Sequence, residues 1–395
     1  MKYRIVIAGG GTAGITVAAR LLRARRDLAG HIAIVEPSDV HYYQPLWTLV
    51  GTGLVPRDVT VRPQAPLIPK GATWIRDAVE TFLPEENRIV LTSGESIRYD
   101  VLIVAVGLKL DWDQVPGTRE AIEAGVAGSN YTFDTVLKTW EGIRRLEEGV
   151  GLFTFPHTPI KCAGAPQKIM YLADDRLRQR GVRSRVTLRY VAATPSIYSV
   201  PKYAATLEKV ARERRIETVY RHTLTAVDPI KREATFRNLE SGETVAMRFD
   251  FLHIVPPMTA PDVVRESPLA DAAGWVDVDK HTLQHTRFPN VFALGDVANV
   301  PTSKTGAAIR KQAPVLVENV LQFLRGEPLT ARYNGYSSCP FVTGIGRLVL
   351  AEFGYDGEIM ESFPFDQAEE RFSMYVLKKD LLPVIYWNGM LKGVL

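Results

Sequence analysis

Cys162 and Cys339 are the only thiols among 395 residues. Two cysteines are too few for a disulfide scaffold in a chain this long, and lone cysteines are commonly inert buried hydrophobes. The settings of these two differ from that default. Cys162 lies in a proline- and glycine-bounded stretch, Pro156 to Pro166, with Lys161 and Lys168 able to favour its thiolate. Cys339 follows Tyr336-Ser337-Ser338 and precedes Pro340. If the two pair, the bond reads as redox-active rather than structural, and beside a two-electron cofactor such a dithiol is a relay.

A cofactor of that kind is written into the first residues. Tyr3 to Ala8 is a β-branched run that stops at Gly9-Gly10-Gly11-Thr12-Ala13-Gly14 and resumes as an Ala-rich stretch, which predicts strand, tight turn and helix. Gly9 permits the turn, Gly11 lets the main chain approach a pyrophosphate, and Gly14 lets the helix sit close on the strand. A second strand, His31 to Val35, ends at Glu36, where a carboxylate can accept from ribose hydroxyls. Asp100 to Gly107 predicts a buried parallel strand ending at a glycine, the place where open α/β sheets bind ligands. Far downstream, Asn290 to Val297 is an apolar strand that stops at Gly295-Asp296 ahead of a long helix from Ala307 to Leu324. Gly295 allows close backbone approach, Asp296 can bind a ribityl or phosphate-linked hydroxyl, and the helix N-terminus adds amide donors. Two such sites far apart in the chain suit an extended FAD.

The elements that must position these groups follow a repeating α/β pattern. Trp74 to Phe82, Arg88 to Thr92 and Ser96 to Tyr99 alternate like antiparallel strands. A helix over 132–148, a strand at Leu152 to Phe155, a helix from Ile169 to Arg180, a strand from Arg185 to Ala193 and a helix from Lys202 to Arg215 form a second doubly wound unit. The turn of that unit, Thr194 to Pro201, contains no glycine, so its backbone cannot hug a pyrophosphate. The second unit is therefore expected to lack a nicotinamide site. The expected organisation is α/β: two Rossmann-like doubly wound domains plus a C-terminal α+β, membrane-associating region. The expected boundaries are 1–112 and 251–330 for the cofactor domain, 113–250 for the second unit and 331–395 for the C-terminal region.

Composition narrows the class. The 46% apolar and 23% charged residues are those of a globular chain. A formal charge of +4, with no basic stripe interleaved with aromatics, argues against nucleic acid and is compatible with an anionic membrane surface. No leader pattern precedes Tyr3, which predicts a chain that starts in the cytosol. The last residues, Phe372 to Leu391, carry apolar, Tyr and Trp side chains flanked by Lys378 and Lys379. They read either as a segment lying in a membrane interface or as a helix packed on the domain. His281 and His285 lack nearby acids, so no metal is expected, and His157 is a loop histidine close in sequence to Cys162.

Tyr43-Gln44-Pro45, Phe155-Pro156, Lys161-Cys162-Ala163-Gly164-Ala165-Pro166-Gln167-Lys168, Pro301 to Thr305, Ser338-Cys339-Pro340 and Phe363-Pro364-Phe365-Asp366-Gln367 together resemble sulfide:quinone oxidoreductase, in its mitochondrial-like branch, over nearly the whole chain. The resemblance implies a disulfide-reductase-like fold that holds FAD, with a Cys162–Cys339 redox disulfide on one side of the isoalloxazine and a quinone, ubiquinone or menaquinone, on the other. It further implies that sulfide attacks the disulfide and leaves a persulfide on Cys339, that the freed Cys162 thiolate passes two electrons to the flavin, and that a thiol, sulfite or cyanide removes the sulfane sulfur. Lys168 and Lys378 match family positions where a cation stabilises anionic flavin, thiolate or persulfide. Gln44, Val79 and Lys304 join Gly9, Gly11, Gly14, Glu36, Gly107, Gly295 and Asp296 as cofactor positions. With no third cysteine to link it, FAD is expected to be non-covalent. The expected setting is the cytoplasmic face of a prokaryotic membrane, with self-association into a homo-oligomer left open. The alternatives are a type II NADH dehydrogenase, a flavocytochrome-type sulfide dehydrogenase, and a flavin-bound redox sensor without turnover.

Overall fold

Ile5, Val6, Ile7 and Ala8 have no exposed surface, as a strand covered on both faces requires. They end β1 (Lys2–Ala8) in the computed structural model, which describes residues 1–395. Helix α1 (Thr12–Ala24) follows, and β2 (Ile32–Val35) returns parallel to β1. The expected strand from Trp74 to Phe82 is two strands, β3 (Ala72–Ile75) and β4 (Val79–Leu83), and β3 runs parallel to β2. The break falls at Asp77, whose carboxylate accepts from its neighbour, the Ala78 N–H, at 2.7 Å, a local bond that turns the chain.

A hairpin joins β4 to β5 (Arg88–Leu91), which pairs in turn with β6 (Ser96–Val104). The two strands expected at Ser96 to Tyr99 and from Asp100 onward are one strand of nine residues. Its first residues pair antiparallel with β5, while the strand also lies parallel to β1. A strand that takes an antiparallel partner on one edge and a parallel one on the other shows neither in local sequence.

The second sheet is parallel throughout. Its elements are β7 (Ala127–Gly128), α2 (Val136–Arg145), β8 (Gly149–Phe155), α3 (Ala165–Gln179), β9 (Val186–Ala192), α4 (Pro201–Glu213), β10 (Glu217–Val219) and β11 (Phe251–His253). The strand order is β7-β11-β8-β9-β10. Helix α3 begins before the expected Ile169, because Pro166 sits in its first turn, where a missing N–H breaks no helical bond. Lys168 is thereby lifted out of a loop and onto the first turn of a helix. Since β11 belongs to the second sheet, the chain regains the first at β12 (Val291–Ala293), parallel to the end of β6, later than the expected boundary at 251.

Helix α5 (Gly306–Arg325) is capped by the Thr305 hydroxyl, which accepts from the Ala308 N–H at 3.0 Å. A hairpin of β13 (Ser337–Gly344) and β14 (Arg347–Phe353) carries Cys339 opposite Ala351. The chain ends in α6 (Phe372–Val376), a π-turn over Leu377–Leu381, and α7 (Leu382–Asn388). Of the two readings of this segment, packing on the domain holds for one face: Tyr386, Trp387, Met390 and Leu391 lie in the same core as β1 and β2. The other face is apolar and open, with Phe372 68%, Leu381 51% and Val384 55% exposed. No helix is long and apolar enough to cross a membrane.

Candidate active site

The glycine turn is built by close approach. Gly9 has φ +103°, and a side chain there would collide with the Ala105 carbonyl; one on Gly14 would collide with the Gly9 carbonyl. Gly11, by contrast, faces open space, and α1 begins there with no side-chain cap, so its first amides are free to receive an anion. Glu36 accepts from the Gly10 N–H and the Ser38 N–H, both at 2.8 Å, and so braces the turn with the carboxylate expected at a ribose. Residues outside the expected cofactor set complete the brace. Gln64 donates to the Gly10 carbonyl at 2.7 Å, and the Tyr386 hydroxyl from α7 meets Thr12 Oγ1 at 2.7 Å and His41 Nε2 at 2.5 Å. None carries a local signal, because each arrives from a distant segment.

The Gly-Asp turn after β12 joins the same groove. Gly295 has φ +75°, its N–H donates to Gln312 Oε1 at 2.9 Å, and its α-carbon faces Ala13 of α1. Asp296 is held above the usual carboxylate range by burial, which Lys304 and Lys161 partly offset. The Lys304 ammonium donates to the carbonyls of Asp296 at 2.6 Å and Ala298 at 3.1 Å and lies 3.9 Å from the centre of the Trp275 ring. Burial brings its pKa down to about 8. Gly107, at φ +72°, also faces open space. Gln44 is exposed, on the turn whose next carbonyl, Pro45, receives the Lys378 ammonium at 2.8 Å. Val79 is half-buried at the start of β4, opposite Leu91.

At the other end of the groove stand the sulfurs. Cys162 has φ +53°, an uncommon conformation for a side chain other than glycine. Its N–H donates to the Lys304 carbonyl at 2.8 Å, which stitches the cysteine loop to the Gly-Asp turn. Its carbonyl accepts from the Tyr131 hydroxyl at 3.4 Å. Cys339 is 1% exposed, and a methyl group on Gly164 would overlap its sulfur. Both cysteines are free thiols, and each shifts the other's titration. The neighbouring Cys339 thiol, then Lys168 and Lys378, hold Cys162 well below the usual thiol range against the effect of burial. The neighbouring Cys162, together with burial, pushes Cys339 up.

Lys168 donates to Cys162 Sγ at 3.3 Å. It is 2% exposed, and although burial alone lowers its pKa, the two sulfurs raise it overall. Lys378 is equally buried and is brought down to about 7 by burial and by repulsion from Lys168. The pair thus holds one firm cation at the thiolate and one that titrates near neutrality. His157 is turned to Thr223 Oγ1 at 3.1 Å, and His281 and His285 are engaged by the carbonyls of Tyr333 and Leu269.

The Thr194 to Pro201 turn of the second unit packs part of its length inward. Ile197, Tyr198 and Val200 are buried, Tyr198 packs edge-on against Phe341 at 4.8 Å, and Gln167 ties down the Ile197 carbonyl at 2.5 Å. The residues of the first groove fit an extended dinucleotide. Free amides at α1, open faces at Gly11 and Gly107, and the recess lined by Gly295, Lys304, Thr305 and Gln312 are open to it, and the Cys162 N–H bond to the Lys304 carbonyl ties the cysteine loop to that recess.

One mixed and one parallel α/β sheet, one dinucleotide turn and a dithiol in a lysine-lined loop define an oxidoreductase of the disulfide-reductase-like class. The mitochondrial sulfide:quinone oxidoreductase of Mus musculus is 47% identical over 392 residues, 99% of this chain and 87% of its own length. That of Schizosaccharomyces pombe is 40% identical over 98% of this chain and 89% of its own. The chain belongs to the sulfide:quinone oxidoreductase family. No family profile matches it. The crystal structure of the Aquifex aeolicus sulfide:quinone oxidoreductase superposes with a TM-score of 0.86 over 99% of this chain and 92% of that one, at 21% identity, and so shares the fold. The expectation of a prokaryotic cytoplasmic face is overturned, because these curated relatives are mitochondrial proteins. It rested on the strand at Tyr3 standing first, and the relatives extend beyond the matched region.

Proposed function

We propose that the chain oxidises hydrogen sulfide and reduces a quinone, with Cys162 and Cys339 cycling between dithiol and disulfide. The reading rests on one observation: a buried lysine 3.3 Å from one of two neighbouring thiols, in a loop tied to a dinucleotide groove. Hydrosulfide attacks the disulfide at Cys339, forming a persulfide there and releasing Cys162 as a thiolate, which Lys168 and Lys378 hold in its anionic form. Gly9, Gly11, Gly14, Glu36, Gln44, Val79, Gly107, Gly295, Asp296 and Lys304 hold FAD non-covalently. Bound FAD supplies a two-electron acceptor that passes its electrons to quinone. The sulfane sulfur leaves to a thiol, sulfite or cyanide; with a thiol, one hydrogen sulfide, one quinone and one thiol give one quinol and one persulfide of that thiol. The exposed side chains Phe372, Leu381 and Val384 favour contact with a membrane surface, where quinones dissolve.

The test is spectroscopic. Under anaerobic conditions sulfide is expected to bleach the flavin absorbance of the purified protein, and a short-chain quinone to restore it. A flavin that sulfide leaves untouched and NADH bleaches would overturn the reading.

A further inference from the structure

Tyr386 sits in the last helix, 374 residues from Thr12, yet its hydroxyl meets Thr12 Oγ1 on the first turn of α1. The same hydroxyl meets His41 Nε2, and the Tyr386 ring packs on Tyr43 at 4.6 Å between centroids. His41 also packs against Trp387, over whose ring the Arg62 guanidinium lies at 4.2 Å. Earlier in the same segment Lys378 grips the Pro45 carbonyl. Residues 41–47 are therefore held from the C-terminal segment at both ends, and the start of α1 is held from it at Thr12. Burial keeps His41 neutral, with a pKa of about 4, so the contact carries no charge that would compete for an anion. Tyr386 is 6% exposed, and a phenol aimed at a helix N-terminus in an aromatic cluster packs no better for having a hydroxyl.

We infer that the C-terminal segment is a clasp on the dinucleotide site, and that Tyr386, acting through Thr12, is a positioning residue that slows release of the bound cofactor. The free amides at Gly11 and beyond can receive a pyrophosphate only while the first turn of α1 keeps its place. Glu36 and Gln64 fix Gly10 from the sheet side; the Tyr386 hydroxyl fixes Thr12 from the opposite side. The inference rests on the FAD reading above.

The experiment uses the full-length holoprotein and follows the rise of free-flavin fluorescence after dilution. Tyr386→Phe and Thr12→Val are each expected to release FAD about five- to tenfold faster, the equivalent of one hydrogen bond. The double variant is expected to be no faster than the quicker single one, because both remove the same contact. Thr12→Ser, which keeps the hydroxyl, is expected to stay within about twofold of the parent. Melting of the flavin-free protein separates a clasp from general packing: Tyr386→Phe should lower the melting point of the holoprotein more than that of the apoprotein. Unchanged release in Tyr386→Phe, additive effects in the double variant, or equal losses of melting point with and without FAD would each overturn the clasp. A parent protein that neither carries nor binds FAD would overturn the cofactor reading itself.

Discussion

The Lys168 ammonium donates to the Cys162 sulfur at 3.3 Å from the first turn of the helix that follows the cysteine loop. A buried charge-assisted bond of this kind contributes about 1.5–3 kcal/mol, which corresponds to about one to two pH units in the thiol titration. Lys168→Met is therefore expected to move the Cys162 titration upward by that amount in the reduced enzyme. Turnover near pH 7 should fall and recover as the pH is raised, and Lys168→Arg should retain most of the thiolate. Alkylation rate against pH reads the shift directly, and an unmoved midpoint in Lys168→Met would remove the lysine from the thiolate.

Either cysteine alone is expected to be insufficient. Cys162→Ser and Cys339→Ser should both give yellow protein in which sulfide no longer bleaches the flavin and quinone reduction falls to background. A fully active Cys162→Ser enzyme would end the dithiol mechanism.

Gly164 gives a finer probe of the same pair. It precedes α3, and a methyl group there would overlap Cys339 Sγ and stand 2.7 Å from the Phe341 ring. Gly164→Ala must therefore displace Cys339, while the glycine turn of the cofactor is untouched. The expected result is a flavin content equal to the parent with a sulfide half-reaction slowed by about 100-fold, since misplacement of about 1 Å at a reacting atom costs that much. Stopped-flow bleaching checks it; parental rates would mean that Cys339 has room the geometry denies.

Lys378 makes stability depend on pH in a defined sense. Burial lowers its pKa to about 7, below the value of about 10.4 for an unfolded lysine. Between those values the unfolded chain binds the extra proton, so this group makes stability rise with pH across the window. Lys378→Met should abolish that component: the melting point of the parent relative to the variant is expected to climb from pH 7 to pH 9.5. A difference that is flat or falls with pH would show that Lys378 is not buried as a strained cation.

The sequence carries the cofactor turn, because strand, glycines, helix and acid are local and each leaves a compositional mark. It carries the thiol loop less completely: Pro166 reads as a loop residue, and only the fold turns it into a helix start that aims Lys168 at Cys162. The continuous strand from Ser96 to Val104 escapes for the same reason, since its partners are decided across the sheet. Lys378 is reached from sequence only through the family resemblance, because nothing nearby announces a buried lysine. Gln64 is not reached at all, and Tyr386 reads from sequence only as an aromatic residue that could face a quinone; their contacts with the cofactor turn span 54 and 374 residues.

The packed turn between β9 and α4 has a consequence for the sulfur site. Tyr198 meets Phe341 edge-on at 4.8 Å, and both share one core with Cys339. A turn free of glycine thus doubles as a wall for a thiol, and the segment between the second sheet and its helix answers to the sulfur as well as to its own fold.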